Sequence, residues 1–436
     1  MPYRTYYQHC IAPDCGAEFD LDARLYVCSR CGGLLDIERR EKVDSAALRE
    51  LWMQRRASFD PRDRSGVWRF REFLPFTDDA DVVSLGEGNT PLYDAPRSAD
   101  YCHLPQLKLK HQGCNPTGSF KDTGMTAAVT QARKLGARLV VCASTGNTAA
   151  SLAAYAARAD LLCAIVVPSG HVSHAKLAQA LDYGAKVFEV DGNFDTCMNL
   201  IRELAEDESV YLVNSINPFR IEGQKTVAFE LAEQLEWQVP DHLIVPGGNL
   251  GNSSAFGKGF RELLESGLIK KQPRITVVQA EGAAPFARFY SNPEHFVNDE
   301  HPQTLASAIK IGAPVSWQKA WRAVQETGGS VITVTEQEIA DAKAIIGRDG
   351  IGCEPASATT VAGIRKLKIN ENESVVAVLT GHVLKDTDYV IKYHDGSLVA
   401  PGGEKLASSF GNSPVRVSFS QDLHDLQDLK DILKIQ

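Results

Sequence analysis

The sequence has no excess of positive charge. Lysine and arginine number 46 against 55 aspartates and glutamates, a formal net charge of -9 over 436 residues. The charge is spread along the chain rather than blocked. The basic patch or stripe that marks a nucleic-acid binder is therefore missing, and no nucleic-acid partner is expected. No apolar run is long enough to span a bilayer. No secretory signal heads the chain, so a cytoplasmic protein with no membrane partner is expected. Two nucleotide signatures are missing as well. The glycine-rich stretch "PGGNLGN" (246–252) lacks the G-x-G-x-x-G spacing of a dinucleotide site. Lys258 does not stand in the G-K-[ST] context of a Walker loop. What remains is ordinary for a globular protein, 44% hydrophobic and 23% charged. A chain of 436 residues exceeds one compact core, so two or more domains are expected.

Ten cysteines are present, and six of them, Cys102, Cys114, Cys142, Cys163, Cys197 and Cys353, are scattered. Without a signal segment these read as reduced and buried. The other four form "CIAPDC" and, twelve residues on, "CSRCGG". Two close thiolate pairs on two turns can close a tetrahedral zinc site. Cys10, Cys15, Cys28 and Cys31 are the expected ligands. Gly32 and Gly33 let the second turn curl so that backbone amides face the sulfurs. The segment has few apolar residues of its own, so metal would supply its folding energy. Four thiolates leave no open coordination position, which makes the zinc structural. His9 is a bystander in this reading.

After a charged helical stretch (45–56) and the connector "GVWRFREFLPF", the chain alternates short β-branched runs with helical patterns. "RLVVCAS", "LLCAIVVP", "AKVFEV", "YLVNS", "HLIVP", "ITVVQA", "SVITV" and "VVAVLT" read as strands. Continuous apolar runs separated by helices indicate parallel strands buried on both faces. The fold class is α/β with two doubly wound sheets. Ligands in such folds sit beyond the carboxyl ends of strands.

Four strand ends carry polar or glycine-rich residues. "PGGNLGN" exposes successive backbone N–H groups before a helix, an anion nest suited to a single phosphate. "STGNTA" offers the hydroxyls of Ser144, Thr145 and Thr148 and the amide of Asn147, a set suited to a carboxylate. N-capping explains one of those hydroxyls but not all three. "NSINPFRIEGQKT" sets Arg220 near Asn214 and Ser215, a phosphate-recognition set. "LTGHVLKD" places Thr380 at a strand end, where its hydroxyl can meet a ring nitrogen. Lys121, in "GSFKDTGM", adjoins a helix start, where the dipole disfavours a cation. One amine and one phosphate nest are what pyridoxal phosphate requires: a Schiff base to the lysine and a cradle for the phosphate.

"NPTGSFKDTGM", "STGNTAAS", "NSINPFRIEGQKT", "PGGNLGNSSAFGKGF" and "TGHVLKD", in this order, resemble the threonine synthases, pyridoxal-phosphate enzymes of fold type II. The likeness runs from "SLGEGNTPL" at Ser84 to Asp386. It implies a tryptophan-synthase-β-like fold and the conversion of O-phospho-L-homoserine and water to L-threonine and phosphate. It implies Lys121 as Schiff-base lysine and proton carrier, and Asn147 on the cofactor's phenolic oxygen. Gly248, Asn249, Leu250, Gly251 and Asn252 would hold the cofactor phosphate, and Thr380 the pyridine nitrogen. Ser144, Thr145 and Thr148 would bind the substrate carboxylate, and Asn214, Ser215 and Arg220 its phosphate. Thr123, Gln112 and Val383 depart from the family's usual arginine, glutamate and glycine.

The expected organisation is a zinc-ribbon-like segment (1–40), a helical connector (41–83), a large cofactor-binding domain (84–135 and 224–436) and a small mobile domain (136–223). A homodimer is the expected assembly. In "DLHDLQDLKDILK", Leu423, Leu426 and Leu433 share a helical face suited to packing or dimer contact. His171 and His174 are read as loop residues without a catalytic role, and His382 has no assigned one. Alternatives remain within the same fold: a cysteate synthase acting on phosphoserine, or a serine/threonine dehydratase, for which Arg220 would have no phosphate to bind. A non-catalytic zinc-ribbon interaction protein is the alternative from another class.

Overall fold

The structure, a computed structural model, describes residues 5–77, 81–170 and 174–414. His171 and the leucine-faced tail lie outside the described residues. His174 begins a helix, His174–Asp182, rather than lying in a loop.

Three sheets carry the fold. The first is a small antiparallel sheet of β1 (Tyr6–Cys10), β2 (Glu18–Asp20) and β3 (Leu35–Arg39), ordered β2-β1-β3. The largest takes β4 (Leu92–Asp94) and β5 (Leu107–His111) from one part of the chain. The four-stranded sheet comes next in sequence, from β6 (Leu139–Ala143), β7 (Leu162–Pro168), β8 (Lys186–Val190) and β9 (Val210–Leu212), ordered β8-β7-β6-β9. The chain then returns to the large sheet with β10 (His242–Pro246), β11 (Arg274–Ala280), β12 (Ser330–Val334) and β13 (Val375–Leu379). The large sheet's order is β12-β11-β10-β13-β5-β4. All pairings in these two sheets are parallel except that of the edge strand β4 with β5.

Every apolar run read as a strand forms one. β5 escapes that reading because its sequence, LKLKH, alternates leucine with lysine. Lys110 nonetheless lies fully buried in the sheet, its charge met by Glu230 from the helix Phe219–Gln234. A paired cation inside a central strand hides the periodicity that burial on both faces would otherwise print.

Three helices pack at backbone distance beside the large sheet: Lys121–Lys134, Phe219–Gln234 and Gly251–Glu265. Glycines permit this. A Cβ added at Gly223 would collide with the carbonyl of Thr123, and one at Gly259 would stand 2.5 Å from that of Lys225. Thr123 is buried at this crossing with its hydroxyl donated to Phe120 O at 2.8 Å, so the unusual residue of the lysine motif is a packing residue. Each of the three helices opens its first turn on one cavity.

The N-terminal sheet is docked rather than appended. Asp36 is buried against Lys258, Lys319 and Arg322, the last at 2.8 Å. Burial raises the Asp36 pKa, and the three cations overcome it and hold the carboxyl well below its usual range. Leu21 and Ile37 pack on Phe219, at the start of the Arg220 helix. On the other side Tyr26 accepts from Leu212 N of β9 at 2.8 Å, and Arg24 donates to Glu208 O and Leu135 O. Among the described residues no helix is long and apolar enough to cross a membrane.

Candidate active site

The cavity measures about 1400 Å³. It lies past the carboxyl ends of β6, β9, β10 and β13, between the two parallel sheets. Every residue expected from the sequence to touch cofactor or substrate lines it, from Lys121 to Thr380.

Lys121 is held by a stitched loop. Asp122, beside it, accepts from Thr117 N at 2.7 Å and from the hydroxyls of Thr117 and Ser151 at 2.6 Å. Phe120 N donates to Thr380 O at 2.9 Å, and His382 N to Gly118 O at 2.9 Å. The lysine loop and the loop after β13 are therefore one rigid wall. The Lys121 amine lies 3.9 Å from the centre of the Phe120 ring. Burial holds it down to about 7, Arg220 pushes the same way, and Glu354 opposes. Burial thus shifts this amine toward its unprotonated form, against the preference of an ordinary lysine.

The loop at 246–252 has the shape of an anion cradle. Leu250 takes a left-handed conformation (φ 64°) as the last residue before the helix Gly251–Glu265, and no side chain caps that helix. The amides of its first turn remain for a ligand, with the helix dipole behind them. A Cβ on Gly248 would stand 3.2 Å from Ala308 O and Ile309 Cα, so glycine keeps the cradle floor low. Gln224 Oε1 and Asn252 Oδ1, buried acceptors without a protein partner, sit on residues that line the cavity. The uncapped amides of the helix start fit a phosphate. Asn249 itself points elsewhere, donating from Nδ2 to Ser215 Oγ at 2.9 Å, so it links the two anion loops.

The second anion set is built around Arg220. It is buried, its Nε has no partner, and its Nη1 reaches only Val213 O at 3.4 Å. Among the described residues no carboxylate lies within ion-pair distance of it. Burial lowers its pKa to about 10. Asn214 is largely spent on structure, its amide accepting from Ala143 N at 3.0 Å and donating to Ala143 O at 3.1 Å. That clasp fixes the end of β6, from which Ser144, Thr145 and Thr148 follow. Ser144 Oγ accepts from Gly146 N at 3.2 Å, shaping the turn into the helix Asn147–Arg158.

Glu354 is the residue that sequence reading missed. It is buried in the cavity wall and accepts from Asn147 Nδ2 and Thr380 Oγ1, both at 3.0 Å. Its signal was the pair Glu354-Pro355 opening the helix Pro355–Ile364. A carboxylate before an N1 proline marks a helix start, which by itself names no ligand. Gln224, one turn beyond Arg220, lines the same cavity and was missed as well.

Away from the cavity, the four N-terminal sulfurs all lie within 4.8 Å of one another. Cys10 and Cys31 are 3.4 Å apart, and Cys15 and Cys28 3.7 Å. Arg30 N and Gly33 N face Cys28 and Cys31 Sγ, each at 3.4 Å. Tetrahedral thiolates around one ion, with bonds of about 2.3 Å, stand about 3.8 Å apart, so the set fits zinc.

The family model described as pyridoxal-phosphate dependent enzyme matches residues 83–381. The chain is 46% identical over 396 residues to the threonine synthase of Methanocaldococcus jannaschii, covering 88% of this chain and 94% of that one. It is 45% identical to that of Methanosarcina acetivorans over the same shares, 88% and 94%. With the threonine synthase of Synechocystis sp. it shares 46% identity over 78% of this chain and 90% of the relative. Among solved structures, an L-serine ammonia-lyase from Rhizomucor miehei superposes with a TM-score of 0.62 at 20% identity, over 73% of this chain and all of that one, 100%. Threonine deaminase isoform 2 from Solanum lycopersicum gives 0.60 at 21%, over 78% and 86%. These two likenesses speak for the fold.

Proposed function

The chain belongs to the threonine synthases, a family of pyridoxal-phosphate-dependent enzymes, and from that we propose that it converts O-phospho-L-homoserine and water to L-threonine and phosphate. The observation that carries the substrate assignment is Arg220, a buried guanidinium facing the cavity without a carboxylate partner among the described residues. Burying an uncompensated charge is costly, and a phosphorylated substrate offsets that cost. A dehydratase of unphosphorylated serine or threonine has no use for it.

Pyridoxal phosphate, when bound, supplies an electron sink for the bond-breaking at the substrate's α-carbon. The cradle at Gly248, Asn249, Leu250, Gly251 and Asn252 would hold its phosphate, Asn147 its phenolic oxygen and Thr380 its ring nitrogen. Ser144, Thr145 and Thr148 bind the substrate carboxylate at the start of the helix Asn147–Arg158, where the dipole favours an anion. Arg220, Ser215 and the remaining amide hydrogen of Asn214 hold the substrate phosphate. Lys121 accepts the α-proton, a role its lowered pKa supports, and carries protons onward. The substrate phosphate leaves into the Arg220 set, and a water adds at the β-carbon. The 136–223 stretch, which holds the carboxylate set and the whole substrate-phosphate set, closes on the remainder as a small mobile domain. Cys10, Cys15, Cys28 and Cys31 bind a structural zinc. A homodimer in the cytoplasm completes the reading.

The deciding experiment offers the cofactor-loaded protein phosphohomoserine and phosphoserine side by side, with threonine and free phosphate as readouts. Threonine and phosphate in equal amounts from phosphohomoserine are expected. Phosphate release from phosphoserine alone would overturn the assignment in favour of a cysteate-synthase-like enzyme.

A further inference from the structure

Thr380 has one hydroxyl proton, and its neighbours leave two places for it to go. The N–H groups of Thr380 and Gly381 both donate to Ser357 Oγ, at 2.8 and 3.1 Å. With both lone pairs engaged, Ser357 has only its own proton to offer, and Thr380 Oγ1 accepts it at 3.1 Å. The remaining protein neighbour of Thr380 Oγ1 is Glu354 Oε1 at 3.0 Å. The other carboxyl oxygen, Oε2, accepts from Asn147 Nδ2 at 3.0 Å whether Glu354 is charged or neutral. An ionised Glu354 takes the Thr380 proton and leaves Thr380 facing the cavity with a lone pair. A protonated Glu354 donates to Thr380, and Thr380 then turns its own proton to the cavity. A ring nitrogen seated at Thr380 must be an N–H in the first case and a bare acceptor in the second. The hydroxyl alone does not decide between them.

We propose that Glu354, protonated at rest, passes its proton through Thr380 to the cofactor's ring nitrogen as negative charge moves toward the ring. The step balances. The Glu354 Oε1–H and Thr380 Oγ1–H bonds break, a new Thr380 O–H and a ring N–H form, and a carboxylate remains at Glu354. Glu354 acts through Thr380 and is a positioning residue for the reaction. The inference rests on the seating of the ring nitrogen at Thr380 given above. The wall is built for it. A Cβ at Gly381 would stand 2.5 and 2.6 Å from the Glu354 carboxyl oxygens, so glycine is what admits the side chain. Burial raises the Glu354 pKa, against its two hydrogen bonds and the charges of Lys121 and Lys385. Those two lysines are the cations that face it. Cys353 precedes it in sequence, and His382 bridges to Cys353 across the loop.

The test uses holoenzyme carrying cofactor labelled with ¹⁵N at the ring nitrogen. The probe is L-2-aminobutyrate with inorganic phosphate, which fills both anion sets and carries no leaving group. At rest the ring nitrogen is expected unprotonated by NMR, with the infrared carbonyl stretch of a neutral carboxylic acid present. With the probe bound, the nitrogen gains its proton and that stretch disappears. In Glu354→Gln, the amide Oε1 keeps Asn147 and the Nε2 donates to Thr380, so the nitrogen stays unprotonated. Exchange of the probe's α-hydrogen with solvent deuterium then slows about a hundredfold, while probe binding is unchanged. A nitrogen that gains its proton equally in Glu354→Gln, or gains it in the natural protein while the stretch persists, would overturn the proposal. Should Glu354→Gln not fold, the two signals in the natural protein decide alone. Thr380→Val separates the readings. A resting ¹⁵N shift unmoved by Thr380→Val means that the ring nitrogen sits elsewhere, and the seating itself fails. A shift moved by Thr380→Val but indifferent to Glu354 means that only the relay fails.

Discussion

Lys121 and Arg220 stand at the starts of two helices packed through Gly223, and the guanidinium joins burial in depressing the lysine's pKa. One arginine thus has two tasks. In the proposed reading it holds the substrate phosphate, and its charge disfavours the protonated form of the amine. Arg220→Ala should raise KM for phosphohomoserine about tenfold to a hundredfold, as loss of a hydrogen bond to a charged group does. It should also move the pH at which Lys121 becomes reactive upward. Steady-state kinetics reads the first effect, and the pH dependence of cofactor capture by apoprotein reads the second. A changed KM with an unmoved pH profile would separate the two tasks.

Cofactor capture has a definite pH signature. The reactive form of Lys121 is the unprotonated amine, so capture by apoprotein should rise through about pH 7 and level off well below the usual lysine value of 10.5. The sign for stability follows from the same shift. Between about 7 and 10.5 the unfolded chain holds a proton that the folded one does not. Apoprotein stability should therefore rise with pH across that window, relative to Lys121→Met, which has no such proton to release. Denaturant unfolding at several pH values measures the difference. Lys121→Ala should abolish covalent attachment and lower turnover by about 10⁴ or more, with absorbance of the purified protein reporting attachment.

The helix crossing sets a steric limit. Gly223→Ala forces a Cβ into the Thr123 carbonyl, and the helices carrying Lys121 and Arg220 must separate. A loss of about 3 kcal/mol is expected from such overpacking. Because both site residues ride on those helices, kcat should fall together with the denaturation midpoint.

Metal analysis should find one zinc per chain. Chelation, or Cys28→Ser, should remove it and lower the thermal midpoint, since Leu21 and Ile37 then lose their hold on Phe219. A midpoint unchanged by loss of zinc would show that the ribbon's docking contacts stand without it.

The four cavity-lining loops were legible because a parallel α/β fold puts them where apolar strands stop, and "STGNTA", "NSINPFR", "PGGNLGN" and "TGH" all stand there. Glu354 and Gln224 follow no strand. They lie at a helix start and within a helix, where no strand end singles them out. Side-chain direction was equally out of reach. Asn214 lines the cavity, yet its amide clasps Ala143, and Asn249 sits in the glycine-rich loop while reaching for Ser215. Residue type and spacing place a side chain at a site; which neighbour takes its hydrogen bond depends on backbone turns tens of residues away.

Asp36 gives the N-terminal segment a meaning that its small size conceals. It looks like a detachable module, a metal-stapled sheet joined to a larger enzyme. Trimming it away would take the Asp36 carboxylate from Lys319 and Arg322 and leave Lys258 to Glu222, at 2.8 Å. The helix behind the glycine-rich loop is therefore tied, through Lys258, to the N-terminal sheet as well as to its neighbouring helix.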